Sequence, residues 1–139
     1  MTKDDCLFCK IGRGEIPSAT IYDSPEFKCF LDISPASRGH ALIIPKEHYD
    51  DIFHIDGDTA GRLFSLATVI ARAIKDETGC EGMNIVQNNG ECAGQTVHHF
   101  HLHLIPRDAD DGVGISCWQQ GETDSEESKA LAAAIKRRI

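Results

Sequence analysis

The sequence predicts an α+β fold, a five-stranded and largely antiparallel sheet carrying one long helix and a C-terminal helix. Three observations lead there. Five short β-like runs are separated by turn residues, and hairpin-length gaps join the early ones. Only one long stretch has helical periodicity before the last strand, so only one long crossover is available. At 139 residues the chain has the size of one domain, residues 1–139, and two independent cores are not expected.

The elements follow in chain order. Residues 6–14 form a compact Cys-x-x-Cys turn running into Gly12 and Gly14. Ala19–Tyr22 and Phe27–Leu31 read as strands split by the turn residues Asp23-Ser24-Pro25. Ala41–Ile44 is a short apolar strand closed by Pro45. Asp58 is the expected cap of a helix reaching Thr78. Leu63, Leu66, Ala67, Ile70 and Ile74 form its apolar face, and Gly79 suits its end. Met83–Gln87 reads as the fourth strand and Val97–Ile105 as the fifth, with Pro106 ending it. An acidic, serine-rich stretch leads into a last helix, Glu126–Arg138, with Leu131, Ala134 and Ile135 as a modest stripe.

Composition excludes some functions. A formal charge of −8 opposes wrapping a long nucleic acid, which needs many cations to displace counterions. A single mononucleotide needs only a few local donors. Lys136-Arg137-Arg138 complements the dipole of the last helix. No leader and no stretch of the roughly 20 apolar residues needed to cross a bilayer is visible, so no membrane partner and a cytoplasmic location are expected. Cysteines there stay mostly reduced, and Cys29, Cys80, Cys92 and Cys117 read as packed or partly exposed thiols.

The chemistry concentrates in His98-His99-Phe100-His101-Leu102-His103-Leu104. On a strand, His99, His101 and His103 share one face about 6–7 Å apart, while Phe100, Leu102 and Leu104 share the other. Folding alone does not explain three imidazoles, since Val or Thr is the better strand former. The face is a solvated patch, a set of ligands for a catalytic zinc, or a nucleophilic histidine flanked by others that orient it and bind charge. Spacing does not separate the last two. Cys6-x-x-Cys9 is equally open: a redox pair, two buried thiols or half of a zinc site.

His99-Phe100-His101-Leu102-His103-Leu104-Ile105 resembles the His-φ-His-φ-His-φ-φ signature of histidine-triad, or HIT, proteins at every position. Phe30-Leu31-Asp32-Ile33-Ser34-Pro35, Gly39-His40 and Ile44-Pro45-Lys46-x-His48 resemble that family's nucleoside-binding strand and turn. Asn88 and Gly94-Gln95-Thr96 stand where its phosphate loop would be. The resemblance covers residues 6–107 and leaves 108–139 as a variable tail.

The resemblance implies an enzyme that cleaves nucleoside 5′-monophosphate phosphoramidates or anhydrides through a nucleotidyl-histidine. His101 would be the nucleophile, His103 would hold a phosphate oxygen, and His40 would support the imidazole and its charge. Thr96 would bond the leaving group or its oxygen, with Asn88, Gly94 and Gln95 beside it. Asp32 would accept from the ribose hydroxyls, and Phe30 and Ile33 would form an apolar slot for a purine. In one bacterial-type branch a structural zinc is held by such a Cys pair, the His of Pro-Lys-x-His and the first triad histidine. Here those are Cys6, Cys9, His48 and His99. The resemblance also implies a homodimer whose C-terminal segment, including Trp118, lies near the partner's site. The remaining alternatives are a metal-dependent hydrolase built on the triad and a non-catalytic nucleotide-binding or scaffolding module. His98, at a variable position, is assigned no role.

Overall fold

In the computed structural model, residues 2–115 and 119–139 are described; Cys117 and Trp118, and the expectations placed on them, lie outside. The chain forms α1 (Leu7–Gly12), β1 (Thr20–Asp23), β2 (Phe27–Leu31), β3 (Ala41–Pro45), α2 (Gly57–Thr78), β4 (Gly82–Val86), β5 (Leu102–Arg107) and α3 (Ser125–Lys136), with a 3-10 turn at Glu91–Ala93. The strands make one sheet in the order β1-β2-β3-β5-β4, and every neighbouring pair is antiparallel. β3 and β4 are therefore parallel to each other. The long α2 crossover joins them, and β5 fills the place between.

α2 covers one face of the sheet. Leu63, Ala67, Ile70 and Ile74 pack on Phe27, Cys29, Ala41, Ile43, Leu102 and Leu104. The opposite face is covered at its centre by α1, where Phe8 and Ile11 meet Phe30, Leu42 and Ile44. Because both faces of β2 and β3 are buried, those strands read as apolar runs rather than alternating patterns. Lys28 lies within β2 yet is only 6% exposed, and its Nζ donates to the Ile11 carbonyl at 2.9 Å, closing the C-terminal end of α1.

Four boundaries differ from the sequence reading. Asp56, not Asp58, caps α2, its carboxylate accepting from the Thr59 N–H at 2.9 Å, while Asp58 sits in the first turn. β5 begins at Leu102 rather than Val97, because residues 97–99 bend and the Phe100 N–H turns to the Tyr49 carbonyl at 2.7 Å. Pro106 does not end β5. Its carbonyl accepts from Ser37 Oγ on the side where β3 has already stopped, so its missing N–H leaves no ladder partner wanting. The Cys-x-x-Cys turn is a one-and-a-half-turn helix whose cap is Cys6 itself. Leu131 and Ile135 of α3 are more than half exposed. No helix among the described residues is long and apolar enough to cross a membrane.

Candidate active site

The sheet register builds the floor of the site. Phe30 pairs with Leu42, and Leu42 with His103, so these three side chains form one row across β2, β3 and β5. Beyond the last ladder pair, the Asp32 N–H donates to the His40 carbonyl at 2.9 Å, which sets Asp32 and His40 side by side on the same face. The turn before His40 depends on Gly39, whose φ is +91° and whose missing Cβ would stand 3.0 Å from Thr78 Cγ2. A cavity of about 280 Å³ lies over this floor. Phe30, Asp32, Ile33, Thr96, His101 and His103 line it together with α1 and the segment after it.

The histidine rings are ordered by their partners. His101 Nδ1 donates to the carbonyl of His99 at 2.7 Å, which leaves Nε2 as the nitrogen with a free lone pair. Burial holds the His101 and His40 pKa values below the ordinary imidazole value, each partly opposed by the Asp32 charge. Burial and the neighbouring His101 and His40 push His103 down to about 4. Near neutral pH these rings are uncharged and carry one proton each. The Ala36 N–H donates to His40 Nδ1 at 2.9 Å, so the His40 proton sits on Nε2, 2.9 Å from His103 Nδ1. His103, once it accepts there, keeps its own proton on Nε2. The pair then offers an acceptor-type nucleophile, His101, next to a donor, His103, with ring centroids 4.9 Å apart.

A second cluster stands behind the first. Cys6 Sγ, Cys9 Sγ, His48 Nδ1 and His99 Nδ1 lie within 4.8 Å of one another. Three of the four sulfur–nitrogen separations are 3.4, 3.4 and 3.5 Å. Ligands about 2.3 Å (S) and about 2.0–2.1 Å (N) from a tetrahedral zinc stand about 3.5 Å apart, so the donor set fits that ion. The other ring nitrogens are committed outward, His48 Nε2 to Asp50 Oδ1 at 2.7 Å and His99 Nε2 to the Pro45 carbonyl at 2.8 Å. That arrangement fixes the tautomer in which Nδ1 faces a metal. With His99 fully buried here, the triad does not present its three rings to a common point, and among the described residues no metal-type group unites them.

The phosphate-loop residues divide. Thr96 is exposed at the cavity edge. Gln95 is buried, accepting from the Gly90 N–H and donating to the carbonyls of Asp50 and Val97, so its side chain ties the loop down. Asn88 lies behind Gly94 and donates to its carbonyl at 3.5 Å. Ile33 is 96% exposed at the mouth, whereas Phe30 is buried and meets Phe8 edge-on. His98 is exposed, 3.6 Å from Glu91. Sequence reasoning missed Phe8, whose ring stands nearly perpendicular to His101 at 4.9 Å, and Asp50 behind His48. An apolar residue inside a Cys-x-x-Cys turn and an Asp two residues after a ligand histidine were the available signals.

A sequence model of the HIT domain matches residues 13–110. The chain is 38% identical to the adenosine 5′-monophosphoramidase hnt1 of Schizosaccharomyces pombe over 135 residues, covering 96% of this chain and 98% of that protein. A crystal structure of a HIT family protein from Bacillus anthracis superposes with a TM-score of 0.93 at 42% identity, covering 99% of each chain. A zinc-bound histidine triad family protein from Mycobacterium smegmatis superposes with a TM-score of 0.76 at 35% identity, covering 97% of this chain and 98% of that one. Likeness of this extent makes the chain a member of the HIT family.

Proposed function

We propose that this chain is a nucleotide hydrolase that cleaves the bond between a nucleoside 5′-monophosphate and an amine or phosphate leaving group through a nucleotidyl-His101 intermediate. The observation that carries the reading is the bond from His101 Nδ1 to the His99 carbonyl, which holds a neutral imidazole with Nε2 free. Relatives named adenosine 5′-monophosphoramidase support the substrate class.

In the first step His101 Nε2 bonds to the α-phosphorus as the bond to the leaving nitrogen breaks. The amine departs with a proton taken from solvent, and the imidazole becomes cationic. The His103 Nε2–H and the glycine-rich loop ending at Thr96 would meet the charge on the phosphate oxygens. Water then attacks phosphorus, the P–N bond to His101 breaks, and the nucleoside monophosphate leaves with a proton released to solvent. Asp32 would receive the ribose hydroxyls, and Phe30, Ile33 and the α1 side chains would grip a purine.

Cys6, Cys9, His48 and His99 would hold one zinc, and the zinc-bound relative supports that occupant. Four protein ligands leave no open position, so the ion would supply rigidity. A homodimer is supported by apolar surface on the outside of α2, where Phe64 and Val69 are more than half exposed, and by Ile85 on the edge strand β4. We read residues 1–139 as one domain with 108–139 appended, working in the cytoplasm, where the thiols stay reduced.

The test is release of AMP from adenosine 5′-phosphoramidate by wild type and His101→Ala, with and without a brief chelator treatment. Wild-type turnover should survive a chelator treatment too brief to strip the buried four-ligand site, and the variant should lose about a thousandfold or more while still binding nucleotide. Undiminished turnover by the variant would refute the covalent mechanism. Nucleotide binding without turnover by the wild type would favour the binding-module reading.

A further inference from the structure

We propose that Lys28 sets the width of the base slot: by holding the Ile11 carbonyl it fixes the C-terminal end of α1, and with it a wall that a purine fills and a smaller base does not. The proposal rests on the nucleotide-binding part of the hydrolase reading and adds a residue to it. Lys28 touches no substrate, so its role is positioning.

Lys28 stands in β2 one row below Phe30, on the same face and opposite Ile44 of β3. Its Nζ reaches the C-terminal end of α1, the helix whose Phe8 and Ile11 pack on Phe30, Leu42 and Ile44. Phe8 and Ile11 also line the cavity. Ile11 is therefore held by its main chain and used by its side chain, so Lys28 acts directly on a residue of the slot. A helix of six residues has little stability of its own, and its position comes from what pins it. The Cys6–Cys9 cluster pins one end, and the 2.9 Å bond from Lys28 Nζ to the Ile11 carbonyl pins the other.

Stability alone does not explain an ammonium at this place. The Ile11 carbonyl also accepts the Gly14 N–H at 3.0 Å, so removing the lysine would leave it with a donor. Asp23, the neighbour of Lys28 across β1, has Lys46 as its ion-pair partner. Burying a charge to 6% exposure costs free energy, and an apolar chain of similar length avoids that cost. What the apolar chain lacks is direction. Apolar packing tolerates sliding of α1, whereas a charge-assisted hydrogen bond to one carbonyl does not. Slack at Ile11 loosens the grip on a base and leaves the rest of the site in place. Asp32 and the histidines stand on the sheet, and Phe8, between the two cysteines, stays with the other pin.

The experiment measures binding of AMP, CMP and ribose 5-phosphate by calorimetry, on the full chain purified without chelator. Wild type is compared with Lys28→Met, Ile11→Ala and the double variant. Wild type should bind AMP at least about tenfold more tightly than either other ligand. In Lys28→Met the AMP dissociation constant should rise about tenfold, with CMP raised less than about threefold and ribose 5-phosphate unchanged within about twofold. The Tm of that variant should equal or exceed the wild-type value. Ile11→Ala should show the same ligand pattern, and adding Lys28→Met to it should change AMP affinity by less than about twofold, because both act through one wall. Equal weakening of all three ligands, full additivity in the double variant, or unchanged AMP affinity in Lys28→Met would overturn the proposal. So would a wild type with no preference for AMP, or a Lys28→Met protein that failed to fold, which would make the lysine a structural residue. Binding needs no turnover. A chain that bound AMP yet released none from adenosine 5′-phosphoramidate would fail the hydrolase reading while the role of Lys28 was still decided.

Discussion

Substituting Gly39 by alanine should damage both stability and catalysis, and the two contributions to the stability loss can be separated. A side chain at φ +91° costs about 1–2 kcal/mol. The new Cβ would also stand 3.0 Å from Thr78 Cγ2 and 3.3 Å from Pro106 Cγ, and overpacking of that kind costs about 1–3 kcal/mol. Together these give about 3 kcal/mol, a large part of a typical domain's stability. Thr78→Ser removes the closest clashing carbon. The serine keeps the hydroxyl that donates to the Ile74 carbonyl at 2.8 Å and accepts from the Cys80 N–H at 3.3 Å. The Gly39→Ala/Thr78→Ser pair should therefore recover about 1 kcal/mol relative to additivity, leaving the backbone strain and the Pro106 contact unrelieved. Urea denaturation of the four proteins measures the cycle. AMP release should fall in Gly39→Ala, because the residue that moves first is His40. A single variant within about 0.5 kcal/mol of wild type, or a coupling of zero, would refute the steric reasoning.

Two further outcomes are expected. Cys9→Ser should reduce the metal content from about one zinc per chain, measured on protein purified without chelator, to almost none, with a clear drop in Tm; wild-type protein that is folded, active and metal-free would sink the zinc assignment. Stability should also depend on pH through His103. Its folded pKa is depressed from 6.5 to about 4, so between those values the unfolded chain binds a proton that the folded one does not. The contribution is present above pH 6.5 and is lost as pH falls toward about 4. The difference in urea midpoint between about pH 7.5 and about pH 5 should therefore be smaller in His103→Gln than in wild type, and an unchanged difference would contradict the assignment.

How much was legible in the chain depends on the reach of each signal. The periodicity of α2 and the apolar runs of β2 and β3 are local, and they fall where expected. The triad's alternation also survives: Phe100, Leu102 and Leu104 face α2, and His101 and His103 face the cavity. The bend at 97–99 was not legible, because its cause is a backbone bond to Tyr49, about fifty residues away in sequence. α1 is six residues long, too short for periodicity to register, and its role comes from packing on residues far along the chain. Asp56 and Asp58 are equally good caps by residue type, and only the bond to Thr59 separates them. Gln95 reads as a ligand group beside glycines, yet three hydrogen bonds turn it into a strut.

The bend at His99 explains how one short segment serves two chemistries without conflict. Had residues 97–101 continued in the β5 ladder, the three rings would follow one another along one face at the strand repeat of about 6–7 Å, and His99 would share the cavity with His101 and His103. Leaving the ladder sends the His99 side chain down among Cys6, Cys9 and His48 while its carbonyl stays beside His101. The residue that closes the four-donor cluster is thus the residue whose main chain sets the tautomer of the nucleophile. Phe8, between Cys6 and Cys9 in sequence, adds the second connection by packing against both His99 and His101. A metal in that cluster would touch no substrate and still govern the rate, since loosening Cys6 or Cys9 frees the two elements that hold His101 in place. Loss of the ion should then appear first as a falling kcat in protein that retains nucleotide affinity through Asp32 and Phe30, and only later as unfolding.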